Sequence, residues 1–257
     1  MLGSPVVHSL SPTIHTAALA EAGIAGTYDA REVDTSGFVA AVAEMRSGSL
    51  DGANVTMPHK RLAHRLSDRC GGAAQRAGAV NTLVALAGEV TGHNTDVVGL
   101  RAAWSHNRLD PAGPVLVLGA GGAAASALVA LEGRPITLSA RRPEAATALI
   151  ERTGVPASVV AFGSGVVGAT VVNATPLGMG GEVLPAGVLE SCVGLFEMAY
   201  AAGETPAEAF VAARGLPVST GTEMLVAQAA ESFRLWTGRA ASLEVMRRAV
   251  RAALRDR

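Results

Sequence analysis

Of the 21 Lys and Arg residues in this chain a single one is lysine, Lys60, in Asn54-Val55-Thr56-Met57-Pro58-His59-Lys60. An ammonium is a compact point donor that can give up its proton, whereas a guanidinium stays protonated and presents a planar fork. A lysine retained against so strong an arginine bias suits donation to, or proton exchange with, one oxygen atom; the competing explanation is a surface lysine left by chance. The scarce amides are unevenly placed too. Of five asparagines, Asn54, Asn81, Asn94 and Asn173 fall in short polar clusters at the ends of expected strands, and Gln228 interrupts the apolar run Met224-Leu225-Val226-Ala227. Amides and hydroxyls at strand ends serve as turn-formers; several gathered at one place would suit a hydroxylated small molecule.

A second set of residues points to a phosphate-bearing ligand. Gly119-Ala120-Gly121-Gly122-Ala123-Ala124 follows an apolar strand and opens a helix, matching G-x-G-x-x-G/A at Gly119, Gly121 and Ala124. Glycine is needed where the backbone turns tightly and where a pyrophosphate approaches, and the helix N-terminus supplies free N–H groups. The position about 20 residues past the first glycine, where an NAD protein places an acid on the ribose hydroxyls, falls at Ser139. No Asp or Glu lies between Glu132 and Glu144; the strand ends instead in Ser139-Ala140-Arg141-Arg142. Guanidinium pairs with phosphate through parallel hydrogen bonds, so the pair predicts a 2′-phosphate and NADP, against the plain alternative of solvated arginines.

These residues need elements to hold them. The spacing predicts a short strand within residues 2–7, then a helix with Ser11 as N-cap and Pro12 at its first position, closed by Gly23. A strand over 28–33, a helix over 38–45 and a strand over 52–55 follow, and Pro58 opens a further helix. Residues 79–86 and 89–92 read as a hairpin, and 96–106 as a helix. The break Asp110-Pro111-Ala112-Gly113-Pro114 changes the pattern to strand 115–118, helix 123–131, strand 136–138 and helix 144–152, with later strands near 170–173 and 194–197. That alternation implies a doubly wound parallel sheet. From Gly221 onward two helices are expected.

Composition narrows the function further. At 257 residues, 49% hydrophobic and 17% charged, the chain has ample core for one large or two modest domains. A net charge of −1 leaves no basic footprint for nucleic acid. Cys70 and Cys192, far apart, fit a reducing compartment and form neither a disulfide framework nor a thiolate metal site. The N-terminus lacks a charged and then apolar leader, and the uncharged stretch 111–131 is Gly- and Ala-rich with a turn inside it, unlike a membrane span. A cytoplasmic protein is expected.

The ordered set Gly3-x-Pro5-x-x-His8-Ser9-x-Ser11-Pro12, Asn54-Val55-Thr56-x-Pro58-x-Lys60, Ala79-Val80-Asn81-Thr82, Asn94-Thr95-Asp96-x-x-Gly99, the glycine loop, Asn173-Ala174-Thr175-Pro176-x-Gly178-Met179 and Met224-Leu225-x-x-Gln228-Ala229 resembles the shikimate dehydrogenase family from end to end. The resemblance implies an α/β protein of two domains with the substrate held between them. Residues 1–101, completed by 221–257, would form the substrate domain, and 102–220 a Rossmann-type domain binding NADP. It implies reversible hydride transfer between NADPH and the C3 carbonyl of 3-dehydroshikimate, by a monomer or homodimer without metal. Lys60 and Asp96 would be the catalytic pair. Ser9 and Ser11 would hold the substrate carboxylate, Thr56, Lys60, Asn81, Asp96 and Gln228 its ring hydroxyls, and Tyr200 would border the site. Gly119, Ala120, Gly121, Gly122, Ala123, Ser139, Ala140, Arg141, Arg142, Asn173, Ala174, Thr175, Met198 and Gly221 would line the cofactor. Ala140 and Glu223 depart from the family's frequent Asn and Gly. The competing expectations are a relative acting on quinate or an amino analogue with NAD, and a non-catalytic NADPH-binding regulator on the same fold.

Overall fold

Strand β1 (Leu2–Gly3) pairs in parallel with β2 (Arg31–Glu32), and Leu2 also bridges to Val55. The strand expected over 28–33 shrinks to two exposed residues because its partner offers only two. Between them, the backbone of α1 (Ser11–Glu21) corrects the expected cap. Leu10 stands at the cap position in helical conformation (φ −89°, ψ −7°), which draws Ser11 inside the helix with Pro12 in its first turn. The hydroxyl that takes an N–H at this end is Ser9, whose Oγ accepts from Ser11 N at 3.1 Å. This computed structural model describes residues 1–198 and 203–255.

Helix α2 (Thr35–Ser47) starts on Asp34, whose side chain accepts the Gly37 N–H, and stops at Gly48 in the left-handed region. Its buried stripe Phe38, Ala41, Val42 and Met45 follows helical spacing. Then come β3 (Gly52–Asn54), α3 (Lys60–Leu66), β4 (Arg69–Cys70), α4 (Gly72–Ala77), β5 (Thr82–Leu86) and β6 (Glu89–His93), forming a sheet of order β3-β5-β6-β4. Strands β5 and β6 are antiparallel, joined by Ala87-Gly88 at φ 52° and 82°. Positive φ at both central residues makes this a type I′ turn, whose twist matches the strands it joins. Phe38, Met45, Val80, Leu83 and Val90 bury their side chains together, each worth about 1.5–3 kcal/mol relative to exposure.

Helix α5 (Thr95–His106) leads into the second set of elements: β7 (Val115–Leu118), α6 (Gly122–Ala130), β8 (Ile136–Ser139), α7 (Pro143–Thr153), β9 (Ser158–Val160), β10 (Thr170–Asn173), α8 (Ala186–Ser191), β11 (Gly194–Glu197), α9 (Pro206–Ala213) and β12 (Val218–Ser219). Their sheet is parallel throughout, of order β12-β11-β10-β7-β8-β9. Strands β7, β10 and β11 are buried along their whole length, so they appear as unbroken apolar runs rather than alternations. The uncharged stretch 111–131 resolves into β7 and α6, and among the described residues no helix is long and apolar enough to cross a membrane. The chain ends in α10 (Gly221–Thr237) and α11 (Leu243–Arg255), the latter packed on α1.

Two compact units result, Met1–Gly99 with Val226–Arg257, and Leu100–Leu225. The division falls inside α5 and α10, and the Pro- and Gly-rich break at 110–114 lies wholly within the second unit. That break is closed locally, with Asp110 Oδ1 accepting the Ala112 and Gly113 N–H groups at 2.9 Å.

Candidate active site

Lys60 opens α3, and Asp96 is the second residue of α5. The Lys60 Nζ donates to Asp96 Oδ2 at 2.6 Å, with the two side chains 20% and 9% exposed. The Lys60 carbonyl accepts the Val80 N–H at 2.9 Å, tying the start of α3 to the residue before Asn81. Asn81 Nδ2 donates to the other carboxylate oxygen, Asp96 Oδ1, at 2.9 Å. The sense of this amide is fixed by its two neighbours. Thr95 N–H, which can only donate, lies 2.7 Å from Asn81 Oδ1, while the ionised carboxylate can only accept. The N-terminal turn of α5 also favours a negative charge at Asp96. Gln228 reaches in from α10, its Oε1 3.3 Å from Thr95 Oγ1 and 3.4 Å from Asn81 Nδ2.

Lys60, Asn81, Asp96 and Gln228 are thus one bonded group. Ser9, Ser11 and Thr56 attach to it through β1 rather than by direct hydrogen bonds: Leu2 bridges to Val55, and Thr56 N donates to Leu2 O at 3.0 Å. A Cβ at Gly3 would overlap the Thr56 methyl and lie 2.8 Å from Met57 O, so only glycine permits this approach. The Ser11 and Thr56 hydroxyls make no hydrogen bond among the described residues, leaving both available to a ligand. Tyr200 lies outside the described residues.

Behind the group sits a layer that sequence reasoning did not single out. Thr82, Thr95 and Ser232 place their hydroxyl oxygens 2.9–3.2 Å apart. Asn54 Nδ2 donates to Ser232 Oγ at 2.9 Å and Thr82 Oγ1 at 3.1 Å, and Asn54 Oδ1 accepts from Tyr28 OH at 2.6 Å. Ser232 carried a signal: it follows Gln228 by four residues, which puts both on one stripe of α10.

The second unit holds the glycine loop. Gly119 has φ +107°, and a Cβ there would lie 3.1 Å from Ala174 O and from the Thr175 methyl; a side chain at this position is strained on both counts. Gly121 caps α6 without a side-chain acceptor, and the space where its Cβ would stand is open. Loop 174–175 leaves β10 beside Gly119 at the C-terminal end of β7, where the sheet order reverses, the place where doubly wound sheets take ligands. Ala120, Gly122 and Ala123 flank this turn half-buried. Arg141 and Arg142 are exposed, with no side-chain partner among the described residues, at the end of β8 where a 2′-phosphate is expected. Ala140 beside them is buried.

Two expected cofactor residues turn inward. Ser139 is fully buried, donating to Ala161 O at 3.2 Å and accepting from Gly163 N at 3.1 Å. Asn173 is fully buried as well: its Nδ2 donates to Leu177 O at 2.8 Å and Glu197 Oε2 at 3.1 Å, and its Oδ1 accepts from Thr175 N and Oγ1. Both side chains brace the loops around the site instead of facing a ligand. Met198 N–H donates to Asn173 O at 3.1 Å, and Gly221 is buried at the start of α10. The residues present fit a dinucleotide: an uncapped helix end, an open glycine cradle and two unpaired guanidiniums.

Comparison with known proteins agrees. The family model described as the shikimate dehydrogenase substrate binding domain matches residues 1–83, and that of the shikimate 5′-dehydrogenase C-terminal domain matches 221–251. The NADP(+) shikimate dehydrogenase of Acidiphilium cryptum is 40% identical, over 93% of this chain and 89% of its own length. That of Moorella thermoacetica is 38% identical over 99% and 92%. A crystal structure of shikimate 5-dehydrogenase from Thermus thermophilus, in complex with NADP(H) and shikimate, superposes with a TM-score of 0.88 at 36% identity, covering 98% of this chain and 97% of that one. This chain belongs to the shikimate dehydrogenase family.

Proposed function

We propose that the protein catalyses the reversible, NADP-dependent reduction of 3-dehydroshikimate to shikimate. The observation that carries the reading is the sole lysine held 2.6 Å from a carboxylate whose other oxygen is locked by Asn81. The relatives named for this activity, one of them seen with both NADP(H) and shikimate, support it.

When bound, NADPH supplies the hydride that reduces the C3 carbonyl. Lys60 donates to the carbonyl oxygen and stabilises the negative charge growing there, an interaction stronger in the transition state than in the ground state. It gives its proton to that oxygen in reduction and takes one from the hydroxyl in oxidation, as general acid and base. Asp96 holds the ammonium in place and accepts from a neighbouring ring hydroxyl. Thr56, Asn81 and Gln228 bind ring hydroxyls, Ser9 and Ser11 the carboxylate, and Tyr200 borders the substrate. The first unit is the substrate domain. The second grips the pyrophosphate on Gly119–Ala123 and the α6 N-terminus and the 2′-phosphate on Arg141 and Arg142, with Ala174, Thr175, Met198 and Gly221 lining the remainder. The two free cysteines support a reducing, cytoplasmic setting for the reaction.

The test follows absorbance at the reduced-nicotinamide band with shikimate or quinate and NADP or NAD in all pairings. Shikimate with NADP is expected to give the largest kcat/KM. A larger value for quinate or NAD would overturn the specificity, and no turnover in any pairing would overturn the enzymatic reading.

A further inference from the structure

We infer that Ser232 is a positioning residue for Asp96, acting from α10 through the Thr95 hydroxyl and the Asn81 amide; this rests on the reading above that Asp96 works with Lys60 on the substrate. The argument is an accounting of protons in a dry cluster. Thr82, Thr95 and Ser232 are all at most 1% exposed, so every hydroxyl proton and every neighbouring amide proton must find a partner inside the protein. Asn54 accepts the Tyr28 phenol on its oxygen and therefore sends its amide protons into the cluster, to Ser232 and Thr82. Ser232 sends its own proton to the Gln228 carbonyl at 3.0 Å, one helical turn back. That leaves its oxygen as an acceptor, and Thr82 Oγ1 at 2.9 Å is the nearest hydroxyl to donate to it. The Thr82 oxygen in turn faces Thr95 Oγ1 at 3.2 Å. One directed chain results, from Thr95 to Thr82 to Ser232 to a helix carbonyl.

The consequence lies at Thr95. It grips Asn81 twice, through its N–H on Oδ1 and through its hydroxyl, which accepts from Nδ2 at 3.0 Å, and it immediately precedes Asp96. Removing the Ser232 oxygen leaves an Asn54 amide proton and the Thr82 hydroxyl without their shortest acceptor. The hydroxyls then turn toward Asn81 Oδ1, 3.3 Å from both Thr82 and Thr95, and compete with the N–H that fixes the amide. Buried polar networks are coupled in this way, so one deletion is felt beyond its own bond.

The experiment compares the wild-type chain, Ser232→Ala, Ser232→Thr, Asn81→Ala and the Asn81→Ala/Ser232→Ala double variant, measuring kcat with shikimate, KM for NADP and Tm. Ser232→Ala is expected to lower kcat about three- to tenfold, the worth of one buried hydrogen bond, with KM for NADP unchanged. Ser232→Thr, which keeps the hydroxyl, restores kcat, and in the Asn81→Ala background the serine change has no further effect. Thr82→Val removes the neighbouring hydroxyl at constant shape and is expected to repeat the kcat loss should Ser232→Ala fold poorly. A lowered Tm with wild-type kcat, or additive losses in the double variant, overturns the inference while leaving the proposed function intact. An inactive wild-type chain overturns the proposed function, and the inference with it.

Discussion

Acid should weaken this protein through one histidine. His15 lies on α1, one turn past Ser11, and is 1% exposed. Its ring stacks on Tyr28 with centroids 4.4 Å apart and planes inclined by 17°, and neither ring nitrogen has a hydrogen-bond partner among the described residues. Burial, above all, lowers its pKa from 6.5 to about 3, so the folded protein keeps it neutral. The unfolded chain takes up a proton below pH 6.5 and the folded chain does not, so stability falls as pH falls from 6.5 toward 3. At 1.36 kcal/mol per pH unit, the loss between pH 7 and 5 is about 2 kcal/mol, or about 4–8 °C in Tm for a chain of this size. Asp34, Asp68, Asp110, Glu182 and Glu231 are held below their ordinary values by hydrogen bonds, so their stabilisation is lost only at lower pH. His93 is shifted in the same direction as His15, by burial. The clean measurement is therefore a difference: Tm at pH 7 and pH 5 for wild type and for His15→Phe, which keeps a stacking ring and removes the titration. The variant should lose less Tm than wild type by about 4–8 °C. Equal losses would show that burial of this imidazole does not set the acid response.

Three further outcomes are expected. Lys60→Ala should lower kcat by at least about 10²–10⁴-fold while NADP binding, read by fluorescence, is kept; near-wild-type turnover would remove Lys60 from the chemistry. Lys60→Arg should be nearly as inactive in the same assay, because the guanidinium fork neither matches the single contact on Asp96 Oδ2 nor releases a proton. Arg141→Ala should weaken NADPH binding by about 1.5–3 kcal/mol, or about 10- to 150-fold, and leave NADH binding unchanged in a titration; equal weakening of both would remove the 2′-phosphate from its role.

The parallel sheet was legible because its central strands are covered on both faces. Val115–Leu118, Thr170–Asn173 and Gly194–Glu197 are apolar runs bounded by Gly, Pro or polar residues, and they form strands with those bounds. Edge and connecting pieces carried no such signal: β4, β9 and β12 are two or three residues long, and α4 and α8 are single short turns of helix. At the site, residue type and spacing singled out Lys60, Asn81, Asp96 and Gln228, but not the direction in which each side chain points. Ser139 and Asn173 stand beside the glycine loop in sequence order and still face inward, because β8 and β10 end against loops 161–163 and 174–177 that need bracing. Ser232 escaped notice because one serine in a helix is ordinary until the residues four positions away and across the sheet are known.

The asparagines show why amides, and not charges, hold this scaffold. Each sits between a group that can only donate and one that can only accept. Asn81 joins the Thr95 N–H to the Asp96 carboxylate, Asn94 the Val97 N–H to the Ala79 carbonyl, and Asn173 the Thr175 N–H to Leu177 O and Glu197. An aspartate would satisfy the donor and repel the acceptor, most severely at Asn81 and Asn173, where a second carboxylate already lies within about 3 Å in a buried setting. A serine or threonine could bridge only by turning one short hydroxyl, without fixing direction. Asn54 extends the same logic, taking the Tyr28 phenol on one side and feeding the hydroxyl cluster on the other. What the sequence offered as either turn-formers or ligand contacts are mostly two-sided brackets, and they leave Lys60 and the open hydroxyls of Ser11 and Thr56 as the groups that meet the substrate.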